Sequence, residues 1–424
     1  AMAAGDRANS RSAWQEAVAF LEDAVAALDR LPRDPGTLAQ GIEARLKLRV
    51  VLAPLADTPR MMRYLDEAGA LAQEAGDQVM LARVNISRGA MLAHIGDLRE
   101  ALAVSRMALD TMQAVHDSVG VVGAAFALGQ AMWYAGDFAA AEAMLTANLP
   151  HLQNERRLHG TMITTGTASA IYLCCLSAIH VRTGDLARAV RASQEARDIA
   201  EATRRPFDLL AAAIYEGPLH LLFGNVDAAI DVLEEAMDIT RASDIPVHIP
   251  FIARSLGRAY AMAGRLEEAE ALLDSASDYA QRHGLGGMRL LCGPALALVR
   301  LHRGDPRALA TCLSTLEAAR AAGMRPVEVQ IMHVLGQLHA ASAAPAEAEI
   351  WFRRAIQLAD ALGMRPDAAS ARDDLAALLR TAGRNGEAAA LEAVRDDPGR
   401  AMDGGGTAAY AAPRPRLPVW RQGT

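Results

Sequence analysis

The amino-acid sequence predicts an all-α protein, a right-handed α-α superhelix (a solenoid) of about nine helix hairpins with a period of about 40 residues. Three observations lead to this prediction. Of the 424 residues, 52% are apolar but only 4% are aromatic, so Ala, Leu and Val supply most of the apolar content, and Ala and Leu favour helices. Gly and Pro separate helix-length stretches, whereas an all-β chain would show alternating runs of Thr, Tyr, Ile and Val. The third observation is a repeat of small residues.

The repeat reads Gly, six residues, Gly followed by Asp, Asn or Arg, three residues, Ala, six residues and Ala. One copy consists of Gly217, Gly224-Asn225, Ala229 and Ala236. The second small residue recurs at a nearly constant spacing, and a single interval between copies is longer than the others. Such regularity indicates structural repeats. This second small residue occurs at Ala56, Gly96, Gly136, Gly184, Gly224, Gly264, Gly304, Ala343 and Gly383.

Each repeat is interpreted as a helix A, a short turn at the second small residue, and a helix B. The turn glycine would end helix A in a left-handed conformation that residues with a Cβ tolerate poorly. The first glycine and the two alanines would be small because helices A and B cross closely there. Pro206, Pro246, Pro326 and Pro366 are expected in the first turn of the next helix A, where a missing N–H has little effect.

The repeats divide the chain into three parts. Residues 1–12 are expected to be an N-terminal extension, and Ala1-Met2 is interpreted as a cloning remnant. The solenoid is assigned to residues 13–396, and residues 397–424 form a tail rich in Gly, Ala and Pro. Within this tail, the segment 413–421 is basic and prone to polyproline structure, so it resembles a ligand more than a receptor. A disordered linker is the favoured interpretation of this segment.

Within the solenoid, nine hairpins are expected between about Ile42 and Leu391. A lone helix, Ala13–Leu31, precedes them and is interpreted as the B half of a missing repeat, which would make the chain a fragment of a longer protein. The longer interval, between Gly136 and Gly184, contains an inserted loop, 150–160. Loops can carry function, but a neutral insertion between repeats is the favoured interpretation.

Charge and cysteine content restrict the partners and the compartment. The formal net charge is −7 with the charged residues interspersed, so no nucleic-acid partner is expected. The four cysteines form no CxxC pair, which is typical of reduced thiols in a cytoplasmic protein. The N-terminus lacks the apolar core of a signal peptide. Two uncharged windows, 119–136 and 161–181, approach the length of a membrane span, but both lie within the repeats, and no membrane partner is expected.

The small-residue and turn positions match the tetratricopeptide signature, although the period of about 40 residues is longer than the usual one. Four further segments carry a resemblance: AVAFLEDAVAALDRLP at 17–32, ARLKLRVVLAPLAD at 44–57, DIPVHIPFIARSLGRAYAMAGRLEEAEALLDSA at 244–276 and ALGMRPDAASARDDLAALLRTAGR at 361–384. Through them, most of the chain resembles the C-terminal repeat region of large bacterial signalling ATPases that are fused to adenylate or guanylate cyclase domains or to helix-turn-helix regulator domains. In that family the repeats act as a sensor or scaffold arm, and the resemblance implies upstream domains that are missing from this chain.

No catalytic constellation is visible in the sequence. It has no GxxxxGKS/T loop to hold phosphates and no HExxH pair of metal ligands. The adjacent Cys174 and Cys175 have no identifiable base, so a nucleophile is not expected. The sequence therefore predicts a protein without a cofactor or metal and without enzymatic activity. A stand-alone enzyme on a repeat scaffold is kept as the least favoured alternative.

The concave face of the solenoid is the expected binding site, because helix A lines that face in such folds. Counting from the first glycine of each repeat places aromatic residues from three neighbouring repeats on this face, beside two arginines one helical turn apart. Gln330, His333 and Gln337 are added by a later repeat. The predicted groove residues are Phe126, Gln130, Trp133, Tyr134, Arg182, Tyr215, Phe251, Arg254 and Arg258.

Two functions and one structural interpretation remain open for this face. An apolar groove with Arg254 and Arg258 would suit a protein or peptide ligand with apolar anchors and an acidic group, which charge-assisted hydrogen bonds could hold. A small molecule could instead bind among Phe126, Trp133 and Tyr134, with Tyr215 beside them. Alternatively, the aromatic side chains fill a tightly wound superhelix, and the arginines pair with nearby carboxylates.

Overall fold

The computed structural model describes residues 1–11, 13–154, 166–243 and 245–393. In this part of the chain twenty α-helices follow one another, with short 3-10 segments at Leu149–Asn154 and Pro246–His248, and there is no strand. The helices are α1 (Met2–Ser10), α2 (Trp14–Leu28), α3 (Pro35–Leu52), α4 (Thr58–Glu74), α5 (Gln78–Ile95), α6 (Leu98–Ala114), α7 (Ser118–Ala135), α8 (Phe138–Asn148), α9 (Ala168–Thr183), α10 (Leu186–Thr203), α11 (Pro206–Leu222), α12 (Val226–Ala242), α13 (Ile249–Met262), α14 (Leu266–Arg282), α15 (Gly286–His302), α16 (Arg307–Ala322), α17 (Arg325–Ala341), α18 (Pro345–Leu362), α19 (Arg365–Thr381) and α20 (Asn385–Ala393).

The helices form consecutive antiparallel hairpins. Each odd-numbered helix is the A helix of a hairpin and packs on its own B helix, and from α5 to α19 the A helices of neighbouring hairpins also pack on one another. This nearest-neighbour packing is the architecture of a solenoid. The predicted all-α superhelix is therefore confirmed, and the nine expected hairpins correspond to α3 through α20.

The turn between helices A and B has the backbone conformation that the small residues predict. All nine turn residues have positive φ, from 53° at Ala56 to 102° at Gly96. The residue after the turn often caps helix B: Asp97 accepts a hydrogen bond from the backbone N–H of Glu100 at 3.2 Å, and Asp185 accepts one from Arg188 at 3.1 Å. Such caps satisfy N–H groups that lack a partner within the helix.

Close crossing of helices A and B explains the other small residues. A Cβ added at Gly217 would lie 2.6 Å from Cγ of Leu233, and one at Gly257 would lie 2.6 Å from Cγ of Leu273. The two alanines that follow the turn, such as Ala229 and Ala236, are completely buried. The predicted reason for small residues at these positions is confirmed.

The N-terminus differs from the prediction of a lone helix. Helix α1 packs on α2, where a Cβ at Gly5 would lie 2.7 Å from Cγ of Leu21, and Ala8 is completely buried. The Asp6 carboxylate also forms a 2.7 Å ion pair with Lys47. The expectation of a lone first helix was wrong, because Gly5 and Ala8 allow a close approach without producing an apolar pattern. Most of the loop 150–160 and all of the tail 397–424 lie outside the described residues.

Successive turns of the superhelix touch each other. The A–B turns of four hairpins contact residues five hairpins further along the chain. A Cβ at Gly136 would lie 3.1 Å from Cγ of Pro326, and one at Gly184 would lie 3.4 Å from Cδ of Pro366. Similarly, Nδ1 of His283 lies 2.9 Å from the carbonyl oxygen of Ala56. The concave face is therefore closed into a narrow central space.

Helix α7 contains the first uncharged window and lies in the middle of this packing. By length and composition, it is the one helix among the described residues that could cross a membrane, and 67% of it is buried within the fold. It contacts α5, α6, α8 and α9, as well as α17 of the next superhelical turn. Its uncharged sequence therefore agrees with a helix that has protein neighbours on all sides.

Candidate functional site

The central space forms a cavity of ≈370 Å³, here called the central cavity. Every described residue that lines it belongs to an A helix, from α7, α9 and α11 of one superhelical turn to α13, α15, α17 and α19. This agrees with the expectation that helix A forms the concave face. A cavity of this volume is within the range of ligand-binding pockets.

Five of the nine predicted groove residues line the central cavity: Trp133, Arg182, Tyr215, Arg254 and Arg258. The three polar residues expected from α17, namely Gln330, His333 and Gln337, line it as well.

Phe126, Gln130, Tyr134 and Phe251 lie outside the central cavity. Gln130, Tyr134 and Phe251 surround a much smaller void behind Trp133. Phe126 is only 8% exposed, and its ring centroid lies 5.9 Å from that of Tyr172 in the core. For Phe126, Gln130 and Tyr134, the inward face that the register predicts is covered by protein, because α7 has helices on all sides.

The void behind Trp133 has a volume of ≈10 Å³, about the space that one water molecule needs. The Trp133 ring packs edge-on against Tyr134, with centroids 5.1 Å apart. Three buried polar atoms around this void have no hydrogen-bond partner among the described residues: Nε1 of Trp133, the hydroxyl of Tyr134 and Oε1 of Gln130. Burial raises the pKa of the Tyr134 hydroxyl, so it remains protonated and can donate.

Arg254 and Arg258 are neighbouring cations in the lining of the central cavity. Arg254 is half-buried, Arg258 is exposed to the cavity, and within the described residues neither has a carboxylate within ion-pair distance. Nη1 of Arg254 is buried and has no hydrogen-bond partner in the part of the chain that the structure describes. Desolvation and then the nearby Arg182 lower the pKa of Arg254 to about 10. The same two causes lower the pKa of Arg258 and outweigh the opposite effect of the Asp367 carboxylate. Both guanidinium groups remain charged at neutral pH.

Charged side chains of α9 and α19, by contrast, have hydrogen-bonding or ion-pair partners. Nη1 of Arg182 lies 3.6 Å from Oδ2 of Asp367, and Gln330 donates a hydrogen bond of 3.2 Å to Oδ1 of the same carboxylate. Asp374 lies further along α19. Nε2 of His333 and Nε2 of Gln337, both on α17, each lie 2.8 Å from its Oδ2. Burial raises the pKa of Asp374, but these two hydrogen bonds outweigh it and lower the pKa.

The structure also reveals apolar lining residues that the sequence reasoning missed. Pro218 and Leu222 of α11 and Pro294 and Leu298 of α15 flank the arginines of α13. Leu222 is 38% exposed, although it is a large apolar residue inside a concave surface. Met262 of α13, which the register from Gly257 places on the inward face, is 52% exposed and lines the cavity as well. The repeat period could have identified this set, because a step of one repeat in either direction from Arg258 leads to Pro218 and to Leu298.

The described part of the chain contains no group of three or more His, Cys, Asp or Glu side chains placed to hold a metal ion. All four cysteines are free; Cys175 is half-buried and the others are buried. Burial raises the pKa of Cys175 to about 12, which leaves its thiol protonated at neutral pH.

No family model matches the chain, and no match was found among curated proteins. Among solved structures, it is similar to a Rap protein complexed with competence and sporulation factor, with a TM-score of 0.61 at 12% identity, covering 85% of this chain and 98% of that one. The apo quorum sensor NprR from B. thuringiensis matches with a TM-score of 0.48 at 12% identity, covering 83% and 97%.

A signal transduction ATPase with a tetratricopeptide repeat sensor, from Pyrococcus horikoshii, has a TM-score of 0.46 at 13% identity. The match covers 82% of this chain and 51% of the ATPase, so the chain spans about half of that protein. Together with the repeat geometry, the likeness to the Rap protein shows that the chain is a tetratricopeptide-like α-solenoid.

Proposed function

We propose that this chain is a regulatory scaffold that captures a peptide, or a peptide segment of a protein, in its central cavity. The observation that carries the proposal is the pair of arginines, Arg254 and Arg258, which line the cavity without a carboxylate partner among the described residues. An unpaired charge in a partly desolvated site reduces stability. A purely structural role for these two residues would call for partners like the one that Asp367 provides for Arg182.

The surroundings of the arginines favour a peptide as the ligand. The cavity extends along the inner face of seven A helices, and apolar side chains such as Leu222 and Met262 are exposed inside it. Peptide-binding grooves combine apolar anchor sites with a few polar groups that set the orientation. The Rap protein to which this chain is similar was crystallised with competence and sporulation factor, which supports a ligand held by this type of fold.

The regulatory part of the proposal rests on the resemblance to the repeat regions of signalling ATPases and cyclase-associated regulators. In this proposal the solenoid is the sensor arm, and an ATPase or cyclase domain upstream of it carries the chemistry. Ligand capture by the arm would then control the activity of that domain.

A small-molecule sensor is the second candidate. The cavity volume of ≈370 Å³ is also suitable for a metabolite. Trp133 and Tyr215, two of the aromatic residues expected beside such a ligand, line this cavity. Native mass spectrometry of the purified protein separates the two candidates, since a retained metabolite and a retained peptide differ in mass and in sensitivity to peptidase digestion.

The test of peptide capture is panning of a random peptide display library on the immobilised full chain. Recovered peptides should bind the wild type and lose binding to the variant Ser370→Trp, in which an indole at an exposed cavity-lining position occupies the space. The matched control Ser314→Trp places the same side chain at an exposed position of the B helix α16, and it should bind as the wild type does. If no peptide depends on a free cavity, the proposal is refuted.

A further inference from the structure

The repeat period aligns equivalent positions of neighbouring A helices across the central cavity. Arg258 of α13 corresponds to Pro218 of α11, one repeat before it, and to Leu298 of α15, one repeat after it. All three line the cavity. One turn earlier in the helix, Arg254 corresponds to Pro294 of α15, which is also in the lining. The cationic stripe of α13 is therefore flanked by an apolar stripe on either side.

Each apolar stripe is accessible from the cavity. On α11, Leu222 is 38% exposed one turn after Pro218, and on α15 the side chain of Leu298 is half-buried at the cavity wall. Helices α11, α13 and α15 pack side by side, α11 on α13 and α13 on α15. A ligand that crosses them would therefore meet an apolar, a cationic and again an apolar surface without an intervening gap.

The spacing of packed helices sets the spacing of the ligand groups. Neighbouring packed helices have axes about 8–10 Å apart. A peptide in the polyproline II conformation advances about 3.1 Å per residue with three residues per turn, so every third side chain points to the same side. Such a peptide, crossing the A helices, therefore moves from one stripe to the next in about three residues while presenting these side chains to the same wall.

We infer that the ligand segment carries one acidic residue, held by Arg254 and Arg258, with apolar residues about three positions before and three positions after it. The inference rests on the proposed function and specifies its ligand class. Two guanidinium groups one turn apart can donate to both oxygens of a carboxylate. Because the two apolar stripes lie on opposite sides of α13, the pattern is the same for either direction of the peptide chain.

Four blocked synthetic peptides test this pattern by fluorescence anisotropy with the full chain. The first has a central Glu, Leu at the third position on each side, and Ser at all other positions. The second moves both Leu residues next to the Glu, the third replaces the Glu by Gln, and the fourth replaces it by Lys. The first should bind at least about tenfold more tightly than each of the others, since each comparison removes one of the matched contacts.

Variants of the protein test whether the arginines cause the preference for Glu and whether the apolar stripes cause the preference for the wider Leu spacing. In the double variant Arg254→Gln/Arg258→Gln, the preference for Glu over Gln should disappear, while the preference for the wider Leu spacing remains. In Leu222→Ser/Leu298→Ser, the spacing preference should decrease severalfold, while the preference for Glu remains. Circular dichroism of each variant checks that the helices are intact.

Equal affinity for the first three peptides would overturn the inferred pattern, as would tighter binding of the Lys peptide. This failure differs from failure of the proposed function. If peptides from the random library require a free cavity but lack this pattern, the proposed peptide capture stands and only the inferred spacing of ligand residues is refuted.

Discussion

Arg182 of α9 and Asp367 of α19 lie next to each other in the wall of the central cavity, with 3.6 Å between Nη1 and Oδ2. These residues belong to hairpins five repeats apart, so their ion pair joins two successive turns of the superhelix. Asp367 provides one carboxylate to a region that also contains Arg254 and Arg258. The two remaining cations are the basis of the proposed ligand site and of the first prediction.

Replacing Arg254 by Met should stabilise the ligand-free protein by about 1 kcal/mol, because a partly desolvated cation without a partner is replaced by an apolar side chain of similar length. Arg258→Met should have a smaller effect in the same direction, since Arg258 is exposed to the cavity. The free energy of unfolding, measured by urea denaturation with circular dichroism, checks this prediction.

Arg197→Met is the matched control for the arginine variants. Arg197 is 8% exposed and forms an ion pair with the buried Glu216. Its removal leaves a buried carboxylate without its guanidinium partner and should destabilise the protein by about 3–5 kcal/mol. If Arg254→Met destabilised the protein to a similar extent, Arg254 would have a structural role and the ligand site would lose its main support.

The turn residues predict a pair of opposite effects. Ala343 has a φ of 55° and is exposed, so Ala343→Gly should raise the unfolding midpoint by relieving a strain of about 1 kcal/mol. Gly304 has a φ of 66°, and no atom of the described residues lies within 4 Å of an added Cβ, so Gly304→Ala should lower stability by a similar amount. Ala310→Gly, at an exposed position inside α16, is the control and should destabilise the protein. The unfolding midpoints of the three variants, measured by thermal denaturation, check these expectations. Stabilisation by Gly304→Ala would contradict the turn assignment.

The crossing of α11 and α12 predicts coupling between Gly217 and Leu233. Gly217→Ala should destabilise the protein by about 1–3 kcal/mol, because the new methyl group overlaps the Leu233 side chain. Leu233→Ala alone should cost about 2–5 kcal/mol through the cavity it leaves. The double variant should lose less stability than the sum of the two single losses, since the smaller side chain at position 233 makes room for the methyl group. Additive losses in urea denaturation would argue against this contact.

Two half-buried histidines predict a loss of stability in mild acid. Burial lowers the pKa of His94 and of His248 to about 4, while in the unfolded chain both titrate near 6.5. Between pH 6.5 and 4 the unfolded state therefore binds more protons, so stability is complete above this window and falls as the pH decreases through it. Between pH 7 and 5 we expect a loss of about 1–2 kcal/mol per histidine. A His94→Gln/His248→Gln variant should show a shallower decline, and an unchanged slope would refute the assignment.

The repeat architecture was predictable because its causes are local. A left-handed turn requires Gly224 or its equivalent once in every repeat, and a close crossing requires Gly217, so both leave a periodic trace in the sequence. The inward direction of Trp133, Arg254 and Arg258 follows from the same register. These features depend only on contacts within a hairpin or between adjacent hairpins.

Contacts between distant repeats left no such trace. The approach of Gly136 to Pro326 depends on the small rotation that each hairpin adds to the superhelix, and no single repeat encodes that sum. The same closure covers Phe126 with protein and brings Asp367 to Arg182. Helix α1 was missed for a different reason, because its contact residues Gly5 and Ala8 are too small to produce an apolar periodicity.

Hydrogen–deuterium exchange of the full chain, with and without a peptide recovered from the display library, tests most directly whether the central cavity is the binding site. The proposed site predicts that the peptide slows exchange in α11, α13 and α15, and that this slowing is absent in the Arg254→Gln/Arg258→Gln variant at the same peptide concentration. Slowing confined to the B helices α12, α14 and α16, or equal slowing in the variant, would contradict capture of the ligand by the arginines of the central cavity.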